Sequence, residues 1–460
     1  MAPLSKAGTA LAALREDLAG DVFAPGDAGY DGARRVFNAM IDRRPAVIAQ
    51  CESVADVVTT VRFARDLDLH VGVRGGGHSV AGMALNDGGV VVDLRRMHGV
   101  TVHPAARAVR AEGGATMSHL DRACQPYALA TTGGRASTTG LGGYVLGGGS
   151  GWLDRKFGLA VDNLLGVELV TADGMVVEAT AEENPELFWA LHGGGGNFGI
   201  ATSLTLRLHE LPAFSFALLL ALPEHGPALA RAFREVIESG PDEVGGGILY
   251  LTGSPDDFMP PHLVGTLLAA AVVTHAGPEE GVRKLAAPLL AVPHEVEIVK
   301  ATPYADFQCL LDDPPDMRNY WSAEYLTGIP DEMLDVFCAR ASDMPVPSGC
   351  QHVLFPQGGA IASGPPQWPV PYRDAPWVVH PFGIWEDPAD DERAVRWVKD
   401  VRADAQPWST GAVYLNFTGD EGPERVVAGL GPENLRRLGE VKRQYDPDNV
   451  FRFNHNITPH

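Results

Sequence analysis

Four clusters of glycine constrain this chain more than any other feature. They read Arg74-Gly75-Gly76-Gly77-His78-Ser79, Gly133-Gly134 through Gly142-Gly143, Gly147-Gly148-Gly149-Ser150-Gly151 and Gly193-Gly194-Gly195-Gly196-Asn197-Phe198-Gly199. The 460 residues include 53 glycines, where an average usage of about 7% gives roughly 32. Glycine is needed where the backbone takes positive φ or lies closely against something. Successive small residues also let N–H groups converge on an anion such as a pyrophosphate.

Two familiar phosphate beds are excluded. Gly194-x-Gly196-x-x-Gly199 fits the spacing of a dinucleotide fingerprint, but that fingerprint follows a strand and opens a helix. Here it follows a helical run, 185–191, and opens a strand, 200–208. No Gly-Lys pair occurs, so a P-loop is absent. The first cluster follows an apolar strand and places His78 directly after three glycines. No second histidine or carboxylate stands nearby at ligand spacing, so no metal is expected. His78 is then either a partner of the bound group or a loop histidine without a role.

Charge and cysteine usage narrow the class. With 36 Lys+Arg against 58 Asp+Glu the net charge is −22, which argues against nucleic acid as a partner. No run approaches the ~20 apolar residues of a membrane span. The first twenty residues turn charged too soon for a secretory signal; Leu4, Leu11, Leu14 and Leu18 read as one helical face. Five scattered cysteines without a C-x-x-C pair suit a reducing compartment, and a cytoplasmic location is expected. Nothing in the sequence bears on oligomeric state.

Periodicity predicts strands at 70–73, 90–94, 165–171, 175–178 and 200–208 and helices at 53–67 and 116–125. Beyond residue 209 helices are predicted at 228–239, 279–290, 331–341 and 390–405. They separate strands at 247–251, 267–273 and 377–385. Pro381 demotes the last of these to an edge or broken strand. The final fifty residues predict a strand at 411–417, a helix at 432–445 and a closing loop. The fold class is α+β, with a cofactor domain made of 1–208 and 409–460 around a substrate domain, 209–408.

At this point the residues resemble the FAD-linked oxidases of the vanillyl-alcohol oxidase and p-cresol methylhydroxylase type, in their berberine-bridge-enzyme-like branch. Val73-Arg74-Gly75-Gly76-Gly77-His78-Ser79 is similar to that family's phosphate loop with its 8α-histidyl flavin attachment. Gly140-Leu141-Gly142-Gly143, Gly147 to Leu153 and Asp162-Asn163-Leu164 resemble the second flavin-binding stretch, continued by Gly194 to Ile200. Tyr445-Asp446-Pro447-Asp448-Asn449-Val450-Phe451-Arg452 and Asn454-x-Asn456-Ile457 resemble the C-terminal return. The resemblance implies a PCMH-type FAD domain and a substrate domain whose antiparallel sheet is covered by helices. FAD would be bound by Arg74, Gly75, Gly76, Gly77, His78, Ser79, Gly82, Gly133, Thr138, Thr139, Gly142, Gly143, Gly148, Gly149, Gly199, Ile200, Tyr414, Asn416, Asn454 and Asn456. Many members add a cysteinyl tether, but Ala136 stands at that position, so a single link at His78 is implied.

The activity implied is oxidation of an alcohol-like group on a small metabolite by hydride transfer to flavin N5, with O2 as acceptor giving H2O2. An oxygenase acting on a polyketide-like substrate, a carbohydrate oxidase and a flavin-retaining binding protein are the alternatives. Tyr414, in the family's Tyr-x-Asn segment, is the first candidate base, or else a packing residue over the ring. Thr139 falls where the family sets oxygen access. In Tyr320-Trp321-Ser322-Ala323-Glu324, alternation puts Tyr320, Ser322 and Glu324 on one face. Ser322 replaces a lysine frequent there, and Glu324 is either a second acid/base group or a solvated carboxylate. Tyr372 reaches the pocket or lies on a surface loop.

Overall fold

In the computed structural model, which describes residues 6–310, 312 and 314–460, valine-rich runs build the first sheet. Its four strands lie in the order Val22–Phe23, Val47–Gln50, Val90–Asp93, Val71–Arg74, and the last three are parallel. Every residue of Val90–Asp93 is buried, as expected of a parallel strand covered on both faces. The crossover helix Val54–Asp66 is started by Ser53, whose side chain accepts from the Asp56 N–H. This sheet delivers the first glycine cluster from the end of Val71–Arg74.

A second sheet of five antiparallel strands runs Val100–His103, Ala108–Glu112, Ile200–Arg207, Leu164–Val170, Val176–Ala179. The helices Pro423–Leu430 and Pro432–Tyr445 return to it, and Leu430, Leu438 and Val441 share one core with Leu187 and Trp189. The helix Lys6–Asp17 buries Leu14, with Leu18 just beyond its end; Leu4 lies outside the described residues.

The third sheet has eight antiparallel strands between residues 215 and 385. Side chains alternate between two cores, as the pleat requires. Leu354 and Val379 face the helices Gly226–Ser239, Asp331–Arg340 and Asp391–Ala405. Val353, Phe355 and Val378 face the glycine-rich half together with Trp152, Tyr372 and Tyr414.

Several expectations are corrected. Trp377–Trp385 is not an edge or broken strand: it lies between Gln351–Pro356 on one side and Arg318–Trp321 with Glu324–Leu326 on the other. The partner on the latter side is interrupted at Ser322 and Ala323, opposite His380 and Pro381, so the residue lacking an N–H sits across from a gap in the ladder. That gap also cancels the common face expected for Tyr320, Ser322 and Glu324. The helix expected over 279–290 divides at Ala286 into Glu279–Leu285 and Ala287–Leu290, because Pro288 has no N–H to continue it. Residues 411–417 form no strand; Leu415–Phe417 is a 3-10 turn closed by the Phe417 N–H on the Tyr414 carbonyl.

Candidate active site

The glycine clusters meet backbone to backbone. A Cβ at Gly76 would lie 2.3 Å from the Gly140 nitrogen, so neither loop tolerates a side chain at their contact. Together with the Gly193–Gly196 loop they form one side of a cavity of about 1180 Å³, whose other side is the inner face of the eight-stranded sheet. At Gly143, Gly195 and Gly196 an added Cβ would meet nothing within 4 Å, so the missing side chains widen the cavity. A bed of glycine backbone free of side chains fits a dinucleotide pyrophosphate, and the space beyond it suits a further small molecule.

Of the residues expected at the cofactor, Gly75, Gly76, Gly77, His78, Ser79, Thr139, Gly142, Gly143, Gly199, Ile200, Tyr414, Asn416 and Asn454 line this cavity. Others stand behind the lining. Arg74 is buried, donates to the Ala33 carbonyl, and has its pKa lowered to about 10 by desolvation. Gly82 closes a turn on the Ser79 carbonyl. The Gly133 carbonyl is where a Cβ at Gly151 would fall. Gly148 packs against Tyr372 and Tyr414 and Gly149 against Ala160 and Tyr144, and Asn456 accepts from Lys442 at 3.4 Å.

His78 stands on the cavity wall, stacked on Phe37 with ring centres 4.2 Å apart. Its Nε2 is 2.8 Å from the Thr138 hydroxyl, so Thr138, itself outside the lining, orients the ring. Burial lowers the His78 pKa to about 4, leaving a neutral imidazole at ordinary pH.

Tyr414 is almost wholly buried, and its phenolic oxygen accepts from the Gly149 N–H at 2.9 Å and the Asn416 amide at 2.8 Å. Burial pushes its pKa up to about 12, while these donors and the Arg135 charge act downward. Arg135 is a source of the positive field such a base requires. It sits between Thr132 and Thr139 in sequence, where nothing marks it as facing the same cavity.

Two candidates are displaced. Glu324 does not line the cavity and is not solvated: it is 1% exposed, held by Arg402 at 2.8 Å, Arg425 at 3.1 Å and Ser409 at 2.7 Å. Tyr372 is no surface residue; it is buried between Tyr325 and Tyr414, with ring centres 4.9 and 5.3 Å away, behind the lining. Lys442 was not anticipated either. Fully buried, it donates to the Phe451 carbonyl at 2.8 Å and to Asn197 at 3.2 Å, tying the C-terminal return to the fourth glycine cluster. Its only signal is a lysine on the apolar side of a helix. Among the described residues no helix is long and apolar enough to cross a membrane.

The chain matches two protein-family models: an FAD binding domain over residues 45–180, and berberine and berberine-like proteins over 413–458. It is 31% identical over 458 residues to (R)-6-hydroxynicotine oxidase of Paenarthrobacter nicotinovorans, covering 96% of this chain and 97% of that one. The crystal structure of 6-hydroxy-D-nicotine oxidase from Arthrobacter nicotinovorans superposes with a TM-score of 0.83 at 27% identity, over 96% of this chain and 98% of that one. A carbohydrate oxidase from Microdochium nivale shares the fold, with a TM-score of 0.82 at 24% identity over 98% and 100% of the two chains.

Proposed function

The chain belongs to the berberine-bridge-enzyme-like branch of the FAD-linked oxidases of vanillyl-alcohol oxidase type, and from that premise we propose that it carries its FAD on His78 and oxidises a C–H beside an O–H or N–H of a small, largely apolar metabolite. FAD held there would supply the two-electron redox chemistry, with O2 as the final electron acceptor. The remaining work falls to side chains. The observation that carries the reading is His78, a neutral imidazole on the cavity wall with Nε2 engaged by Thr138. With Nε2 so engaged, Nδ1 would be the ring nitrogen left to carry the link. Ala136 lines the cavity where a second tether would need a thiol.

Tyr414 is the proposed base. Two donors converge on its oxygen, an arrangement that favours the phenolate over the phenol, and Arg135 adds a positive charge. Thr139 is small enough to leave O2 room at the wall it lines. Leu249, Val272, Val353 and Phe382 face the cavity from the sheet, which suits a flat apolar substrate such as a hydroxylated ring better than an oligosaccharide. The unpaired state of all five cysteines supports a reducing, cytoplasmic setting. The flavin part is taken as residues 1–208 and 409–460, and the substrate part as 209–408.

Denaturing gel fluorescence tests the tether. The wild type should keep a flavin signal that His78→Ala loses; release of the flavin from wild type on acid precipitation refutes the link. Labelled O2 left out of the product distinguishes the oxidase from an oxygenase.

A further inference from the structure

Arg135 is a cation on the wall of a cavity whose sheet side is mostly apolar, with Thr252 and Gln351 as polar strand positions. Its guanidinium carbon lies 4.0 Å from the centre of the Phe355 ring and 5.2 Å from that of Trp152. Within the protein it donates to the Ser150 hydroxyl at 3.3 Å and the Gly151 carbonyl at 3.0 Å. The nearest carboxylate, Asp154, is 3.7 Å away. That carboxylate is already engaged by the Ser150 hydroxyl at 2.7 Å and the Gly151 N–H at 2.9 Å. Nε is buried without a partner. A guanidinium has five N–H donors; two are hydrogen-bonded here, and the side chain keeps 14% of its surface open at the cavity it lines.

Burying such a charge is costly, its ion pair with Asp154 at 3.7 Å leaves Nε without a partner, and its planar, donor-rich head matches carboxylate geometry. An ammonium group would meet like charge at this point, and the faces of Phe355 and Trp152 are already covered. Sugar hydroxyls would need donors and acceptors spread along the sheet, where Leu249, Val272 and Val353 offer neither and the polar Thr252 and Gln351 stand at strand ends. Of the other carboxylates on the lining, Asp256, Asp312, Glu386 and Asp387 are exposed, where salt screens them; Asp312 is taken up by the Ser137 N–H at 2.6 Å, and Asp390 is half-buried.

Resting on the assignment of this cavity as the substrate site, we propose that Arg135 is its specificity-determining residue and receives the carboxylate of a substrate whose body is a flat apolar ring system lying against the sheet.

The test titrates the holoenzyme at neutral pH with naphthoate, naphthamide and naphthylmethylammonium, reading the flavin absorption and the tryptophan fluorescence, to which Trp152 contributes. Naphthoate should bind at least about tenfold more tightly than the isosteric amide, and the ammonium most weakly. Arg135→Met should bring the acid/amide ratio to about one while the flavin stays bound, and Arg135→Lys should restore part of it. Amide or ammonium binding as tight as naphthoate, no naphthoate binding, or an unchanged ratio in Arg135→Met overturns the proposal. If Arg135→Met fails to fold, the wild-type ratio and its change in Arg135→Lys decide. A protein that lacks a flavin spectrum refutes the proposed function instead, and the tryptophan signal still reports the three ligands.

Discussion

Glu324→Gln separates an acid/base group from a structural clamp. Glu324 belongs to a largely buried set of four charges, in which Arg402 is the open member with 32% of its side chain exposed: Arg402 and Arg425 each contact both Glu324 and Glu421. Arg425 also donates to the Ala323 carbonyl at 2.7 Å, and Ser409 closes on the second Glu324 oxygen. The set joins the strand Glu324–Leu326 to the helices Asp391–Ala405 and Pro423–Leu430, and so brackets the segment that carries Tyr414. Glutamine keeps the shape but leaves two guanidinium groups facing one carboxylate. Each pair is worth about 4 kcal/mol at 4 Å and an effective dielectric near 20, and removing one partner of a buried pair costs about 3–5 kcal/mol. At about 2–4 °C per kcal/mol for a unit of roughly 200 residues, the melting midpoint should fall on the order of 10 °C. Thermal and guanidinium unfolding of the FAD-loaded enzyme, followed by flavin and tryptophan fluorescence, reads the shift as a midpoint, since a chain of this size need not unfold in one step. Well below the new midpoint, kcat and its pH profile should stay close to wild type. An unchanged midpoint with kcat down a hundredfold and an altered pH profile would refute the clamp.

Three further outcomes follow from the same geometry. Tyr414→Phe should lose about 10²–10⁴ in kcat/KM; because burial holds the Tyr414 pKa near 12, wild-type activity should climb with pH below that value, and the same climb in the variant would exclude Tyr414 as the base. Thr138→Val removes the bond to His78 Nε2 and should slow covalent attachment without stopping FAD binding, read as the fraction of in-gel flavin fluorescence over time; attachment at wild-type speed removes Thr138 from the orienting role. Asp121 is fully desolvated, and burial lifts its pKa to about 7 despite the Gln308 hydrogen bond. Against an unfolded value of about 3.9, its stabilising protonated form is fully present below about pH 4 and is lost as pH rises through about 7. Asp121→Asn should therefore gain melting temperature relative to wild type as pH rises from about 5 to 8, and a pH-independent difference would contradict this.

What was legible in the sequence is what the backbone decides locally. The glycine clusters, the valine strands that deliver them and the helix Pro432–Tyr445 are each set by residues adjacent in sequence. The misread elements depend on partners far away. Pro381 is tolerated in an interior strand because a different segment breaks at Ser322 and Ala323. Val413 and Tyr414 read as strand because they are apolar, yet their side chains fill cores without a ladder. Glu324 looks like a strand-end carboxylate until Arg402 and Arg425, 78 and 101 residues on, enclose it.

The same contrast explains why the cofactor is easier to read than the substrate. A pyrophosphate bed is written in a few contiguous residues whose type, glycine, is itself the requirement. The substrate wall is drawn from alternate positions of strands spread between residues 215 and 385, and the sheet is covered on both faces. Ser215–Ala221 is buried at every position, so no polar alternation tells which side chains face the helices and which face the cavity. Leucine and valine serve either side equally well. Information about the substrate therefore concentrates in positions where the wall departs from core chemistry, and a charged residue set against Phe355 and Trp152 is such a departure. Changing Leu249 or Val353 within the apolar class should retune fit, whereas changing Arg135 should alter which chemical class the cavity accepts.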